Sequence, residues 1–288
     1  MATDLTEQEV QDKLLAIRRQ QQISETISPS RTISQPLSNV SESVVNKLQV
    51  VQPEPKTVCT TETCKGYCGR VDCPWPAAKR FYDLEQTLKA IRQQRRHPER
   101  VLRVWKVPKK HIASSFENFQ GGDAIKALCM DTADREKSIF MSGATGCGKT
   151  HLAVAMMRRR IETSSKHLEG NSSKPPVAIF TTVPELLFEI RQCYRDGGPS
   201  EAETVRKYAD VPLLVLDDLG AEKDTTAAEA MLYLIIDRRD RECRWTIVTS
   251  NVDLAELQNT LGARIASRLS NMIVAPIKLG DYRKKRTA

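Results

Sequence analysis

Eight residues near the middle of the chain, Gly143-Ala144-Thr145-Gly146-Cys147-Gly148-Lys149-Thr150, match the spacing G-x-x-x-x-G-K-[ST] at every fixed position. Glycines at these places let backbone N–H groups close around phosphate oxygens, and Lys149 adds positive charge at the β/γ end. The Thr150 hydroxyl is placed to ligate Mg²⁺. The flanks agree with this chemistry. Ser138 to Ser142 reads as a short buried strand, and the run from His151 to Met157 continues as a helix whose N-terminus favours an anion. Cys147 occupies a free position of the template and reads as a small filler rather than a nucleophile. His151 reads as a packing residue at the helix start, next to the phosphates.

A second group of residues has the charge to complete a magnesium site. The apolar run Leu213-Leu214-Val215-Leu216 ends in Asp217-Asp218. In nucleotide triphosphatases with such a loop, a carboxylate at this kind of strand tip holds the metal shell. Asp217 is assigned to Mg²⁺ and Asp218 to polarising the attacking water. Asp218 is one methylene shorter than Glu, so slow hydrolysis is expected. Asn251 closes the strand Thr246–Ser250 and offers a neutral amide to the γ-phosphate or its water. Arg264 and Arg268 lie one helical turn apart, where an arginine can stabilise charge on a neighbouring subunit's nucleotide.

The elements needed to position these groups follow from the pattern. Five apolar strands (138–142, 177–182, 211–216, 245–250 and 272–277) alternate with helical stretches at 151–161, 183–194, 227–239, 254–261 and 263–269. Such alternation predicts a parallel sheet with helices on both faces and the ligand at the carboxyl ends of its strands.

The remainder of the chain is organised differently. Residues 1–22 read as a lone amphipathic helix for docking on a partner, and 23–56, rich in Ser, Gln and Pro, as a flexible linker. Within 57–76, Cys59, Cys64, Cys68 and Cys73 follow C-x4-C-x3-C-x4-C, with glycines at 66 and 69. Four thiolates suit tetrahedral Zn²⁺, with an iron–sulfur cluster as the rival and an unmetallated segment as the third possibility. Residues 77–100 form a basic helix striped by Phe81, Leu84, Leu88 and Ile91, and 101–288 hold the nucleotide domain. From 77 to 111 there are eleven Lys/Arg against three acids, an excess equal to the net +8 of all 288 residues. Concentrated positive charge of this kind attracts nucleic-acid backbones. No run of 18 apolar residues, a polar start and scattered single cysteines argue against a membrane span or a secreted disulfide scaffold, and point to the cytoplasm.

From Val107 to Arg283 the chain resembles the AAA+ helicase loaders of DnaC type and the related IstB transposition helpers. The resemblance is carried by Val107-Pro108-Lys109-Lys110, Phe116-Glu117-Asn118-Phe119, Gly148-Lys149-Thr150-His151-Leu152-Ala153 and Leu216-Asp217-Asp218-Leu219-Gly220-Ala221-Glu222. It continues in Thr249-Ser250-Asn251, Arg264 to Leu269 and Asp281-Tyr282-Arg283. It implies a P-loop AAA+ fold, an ATPase using Mg²⁺, a sensor role for Asn251 and a trans-acting arginine finger at Arg268. The C-terminal helical lid that AAA+ proteins usually bear is not expected here, since beyond Arg283 the sequence runs only to Ala288. Arg283 stands in the place of a second sensor. The function implied is an ATP-dependent loader of the replicative DNA helicase that grips single-stranded DNA and self-associates through Arg268. An IstB-type helper acting on a transposase is the nearer alternative. A nucleic-acid adaptor with a non-hydrolysing ATP site is the farther one, and a P-loop small-molecule kinase lacks a recognisable acceptor pocket.

Overall fold

The computed structural model describes residues 75–166, 168, 176–195, 197–220 and 226–282. The expected N-terminal helix, the linker, the four-cysteine cluster and Arg283 lie outside the described residues. Two compact units divide the chain at Ile91/Arg92. The described part of the first is the opening of α1 (Trp75–Arg96), where Leu88 is buried and Lys89 exposed, as the stripe predicts. His97-Pro98 ends this helix, and α2 (Pro98–Val104) follows at once.

The second unit starts before the boundary expected at 101, because the end of α1 is tied into it. The Gln94 amide donates to Lys166 O and accepts from Leu168 N, while the Arg95 guanidinium donates to Ser164 O. Beyond α2 come α3 (Asp123–Asp134), β1 (Ile139–Gly143), α4 (Lys149–Thr163), β2 (Ala178–Thr182), α5 (Val183–Gln192) and α6 (Glu201–Ala209). They are followed by β3 (Leu213–Leu219), α7 (Thr226–Arg241), β4 (Trp245–Ser250), α8 (Leu254–Leu261), α9 (Ala263–Ser270) and β5 (Ile273–Ile277).

All five strands are parallel, in the order β2-β3-β4-β1-β5. Alternate strand residues feed two apolar layers. Ile139, Met141, Val215 and Ile247 pack with α2, α3 and α4; Phe140, Leu214, Leu216 and Val248 pack with α5, α7, α8 and α9. The double cover explains why the strands are apolar in both registers rather than alternating. At the β2 edge, Phe180 N donates to Trp105 O, which covers part of an otherwise open ladder.

Three helices depart from the sequence reading. α2 and α3 were not anticipated, and neither was α6, which begins with a complete capping box in which Ser200 and Glu203 satisfy each other's backbone N–H groups. Strand β3 runs through both acids instead of stopping at Leu216, with an irregularity between Leu216 and Leu219 in its pairing with β4.

Candidate nucleotide-binding and hydrolysis site

The 143–150 loop joins β1 to α4, so its phosphate-facing amides lie at a helix N-terminus over the carboxyl end of the sheet. Two of its glycines are required by their surroundings. A Cβ on Gly148, at φ 96°, would lie 2.7 Å from the Phe119 ring, and one on Gly146, at φ 84°, would lie 1.9 Å from a carboxylate oxygen of Asp281. Tyr282 N also donates to Gly146 O, tying the segment after β5 to the loop. Cys147 is buried, consistent with a filler.

Lys149 is buried, and its ammonium donates to Gly143 O at 2.7 Å, Ala144 O at 3.0 Å and Asn251 Oδ1 at 2.8 Å. Asn251 in turn donates through Nδ2 to Asp218 Oδ1 at 3.4 Å, and its Oδ1 also accepts from Thr145. The loop lysine, the strand-tip amide and the second acid therefore form one connected cluster, because β1, β3 and β4 are neighbours in the sheet.

The Thr150 hydroxyl lies 3.0 Å from both carboxylate oxygens of Asp217. Thr249 donates to Asp217 Oδ1 at 2.6 Å and its oxygen accepts from Asp218 N at 3.0 Å. Sequence reasoning missed Thr249; it reaches Asp217 because β4 pairs with β3, which no residue pattern within β4 announces. Asp217 is buried, and burial pushes its carboxyl above the usual carboxylate range, with the Asp218 charge adding to the rise. The Thr249 and Thr150 hydroxyls and the Lys149 charge pull it back. A buried acid beside a threonine hydroxyl at the mouth of a phosphate cradle fits a divalent cation, whose charge would satisfy the carboxylate. Asp218 has φ 60°, a left-handed conformation at the strand irregularity, and is only partly covered.

The cavity over this cluster has a volume of about 500 Å³, suited to a nucleotide. Beyond the loop, its walls include Lys110, His111, Phe119, Leu279 and Tyr282, residues from both ends of the domain that the sequence did not place at the site. His151 is half buried. Its Nε2 donates to Ser115 O at 2.9 Å and its ring meets Phe119 at 5.4 Å between centroids. Burial lowers its pKa and the Ser115 carbonyl partly offsets this, so the imidazole is neutral at pH 7 and fixes the wall rather than carrying charge.

Arg268 is not brought to this cluster. It lies on α9 and is held by Asp237 at 2.9 Å and Asp240 at 3.8 Å, both on α7; Arg264, one turn earlier, is exposed. Among the described residues no three or more His, Cys, Asp and Glu side chains gather into a metal-binding group, and no helix is long and apolar enough to cross a membrane.

The sequence model of the IstB-like ATP binding proteins matches residues 77–286. The replicative helicase loader DnaC of Escherichia coli K12 is 28% identical over 152 residues, which cover 52% of this chain and 58% of DnaC. The chain thus spans little more than half the length of that relative. The uncharacterized protein YdaV of the same organism is 27% identical over 180 residues, 60% of this chain and 68% of YdaV. The crystal structure of the DnaC helicase loader superposes with a TM-score of 0.50 at 22% identity, covering 59% of this chain and all of that one, a likeness of fold. With its parallel sheet, phosphate loop and paired strand-tip acids, the chain belongs to the IstB-like ATP-binding proteins, among the AAA+ ATPases of DnaC/IstB type.

Proposed function

We propose that this protein is an ATP-dependent loader of the replicative DNA helicase, cytoplasmic, which binds single-stranded DNA, hydrolyses ATP slowly and delivers the helicase when replication initiates. The observation that carries the ATPase reading is the continuous cluster Lys149–Asn251–Asp218, next to Thr150–Asp217–Thr249. The two halves adjoin through the consecutive acids Asp217 and Asp218, and together they supply the charge and hydrogen bonds that a loop-held γ-phosphate requires. The replicative role is supported by the similarity to DnaC.

In this reading the amides of 143–151 and the Lys149 ammonium hold the phosphates, and Lys149 exchanges its bonds to Gly143 O and Ala144 O for phosphate oxygens. Thr150 and Asp217 would hold Mg²⁺, which would supply charge neutralisation for the phosphates. Asp218 orients the attacking water and takes its proton. Asn251, bonded to Lys149 on one side and to Asp218 on the other, is positioned to register the γ-phosphate. Arg268 completes the site of a neighbouring copy. The cluster Cys59, Cys64, Cys68 and Cys73 is proposed to hold Zn²⁺, by its ligand set alone; elemental analysis and a visible absorption spectrum distinguish zinc from iron–sulfur.

The match to the IstB-like ATP binding proteins leaves room for a second reading, in which the same chemistry serves an ATP-dependent helper of a transposase. Native mass spectrometry of the full chain with the replicative helicase and, separately, with a transposase, each with and without ATP, decides between them. ATP-dependent complexes with the helicase are expected; complexes with the transposase alone would replace the loader reading. Lys149→Ala should abolish nucleotide uptake in calorimetry, and retained binding would overturn the assignment of the site.

A further inference from the structure

An arginine that completes a neighbour's site has to be held in place, because a free side chain spends most of its time in other rotamers. Arg268 is gripped in a specific way. Asp237 lies on α7, on the same helical face as Tyr233, four residues before it, and Asp240 and Arg241, three and four residues after it. Its carboxylate side chain is only 13% exposed and is fully engaged. Oδ1 accepts from Arg268 Nε at 2.9 Å and from the Tyr233 hydroxyl at 3.4 Å, and Oδ2 accepts from Arg241 Nε at 3.0 Å. Asp240 stands farther off, 3.8 Å from the same Arg268 nitrogen.

Docking through Nε matters for function. The nitrogen nearest the stem is fixed, while the forked terminal pair, the part that matches two phosphate oxygens, is not committed to Asp237. The Arg268 side chain remains 35% exposed. Asp237 is nearly buried between two arginines, so the contact fixes direction as well as contributing to the packing of α9 on α7.

We infer that Asp237 is a positioning residue for trans hydrolysis: by holding Arg268 through Nε it aims the terminal fork at the nucleotide of the adjoining copy. The inference rests on the reading of Arg268 as that residue.

The test uses the full-length protein and subunit mixing. Asp237→Asn, which keeps shape and one acceptor but not charge, should lower the part of kcat that rises with protein concentration by roughly tenfold. KM for ATP should stay close to wild type, and any fall in the thermal midpoint should be shared by Arg241→Gln, which leaves the Arg268 contact in place and should keep wild-type kcat. Adding Lys149→Ala subunits, which bind no ATP but carry an intact Asp237–Arg268 pair, should restore turnover to Asp237→Asn, as it should to Arg268→Ala. Asp237→Glu should retain more activity than Asp237→Asn, and Asp240→Asn should have little effect. Wild-type turnover in Asp237→Asn would overturn the inference. So would a deficit that Lys149→Ala donors repair in Arg268→Ala but not in Asp237→Asn, since Asp237 would then serve its own subunit. An equal loss in Asp240→Asn would also overturn it, leaving only a general charge effect. If the donors fail to rescue Arg268→Ala, the trans role of Arg268 itself falls.

Discussion

Asp218 combines a strained backbone with a catalytic assignment, and the two can be separated by mutation. At φ 60° a β-branched side chain would clash, whereas Asn adopts this region as readily as Asp. Asp218→Asn should therefore fold normally, keep its hydrogen bond from Asn251 and bind ATP, while hydrolysis falls about 100-fold in single-turnover measurements. Undiminished phosphate release would remove Asp218 from the chemistry. Asp217 gives a different signature. Its folded pKa is raised, chiefly by burial, so without a cation the carboxyl keeps its proton to higher pH than an ordinary aspartate. Such a raised acid contributes relative stability to the metal-free fold as pH falls, because the folded state then binds more protons than the unfolded one. Magnesium needs the ionised form. Calorimetry should show Mg·ATP affinity weakening as pH drops through this raised pKa, with proton release on binding, and Asp217→Asn should lose the proton release. The 143–150 loop and the two acids were legible because each residue type answers one chemical need at a fixed spacing. Thr249 was not, since a threonine in a β-strand is common and only the pairing of β3 with β4 reveals its target.

At the scale of elements, strands were easier to read than helices. Apolar runs such as Leu213–Leu216 and Ile247–Val248 exist because both sheet faces are covered, and that burial is written in composition. α6 escaped notice because Glu201–Ala209 buries only Thr204, Tyr208 and Ala209, too few apolar positions to set a period; its capping box was the available signal. Arg239 was equally invisible, one arginine among several at the end of α7. It is fully buried, and donates to the carbonyls of Tyr208, Ala209, Val211 and Trp245 and to the Thr246 hydroxyl. It thereby closes the C-terminus of α6 onto the amino-terminal ends of β3 and β4. Burial lowers its pKa to about 9, with the Arg244 charge contributing, which still leaves a cation at pH 7. Arg239→Met would fill the volume but leave those carbonyls buried without donors. Equilibrium urea unfolding should show a loss of roughly 2–4 kcal/mol, well beyond a surface change. A loss below about 0.5 kcal/mol would mean that these carbonyls find other partners.

For the whole molecule, the decisive quantity is the placement of charge. The excess of the entire chain resides in residues 77–111, and Lys89, Arg92, Arg96, Arg100, Arg103, Lys106, Lys109 and Lys110 are exposed there. Lys106 has an ion-pair partner in Glu189, and Lys110 lines the nucleotide cavity. Lys109 adjoins Lys110 in sequence; of the others, Arg92, Arg96, Arg100 and Arg103 follow one another over 92–103 and can meet a phosphate backbone without disturbing the ATP site. If they track single-stranded DNA, binding releases counterions, and the logarithm of affinity falls with the logarithm of salt by about 0.7 per phosphate contacted. Replacing Arg92, Arg96 and Arg100 by Gln should flatten that slope by about 2 in fluorescence anisotropy titrations. DNA-free ATP turnover should stay as it was, because none of the three lies in the cavity wall or among the residues that contact the nucleotide loop. An unaltered slope would place the grip elsewhere, with Phe188 on α5 and Tyr194 just beyond it, both more than half exposed, as the surfaces on which bases could stack. The two outcomes differ in kind as well as place, since stacking on aromatic rings is far less sensitive to salt than contact with arginines.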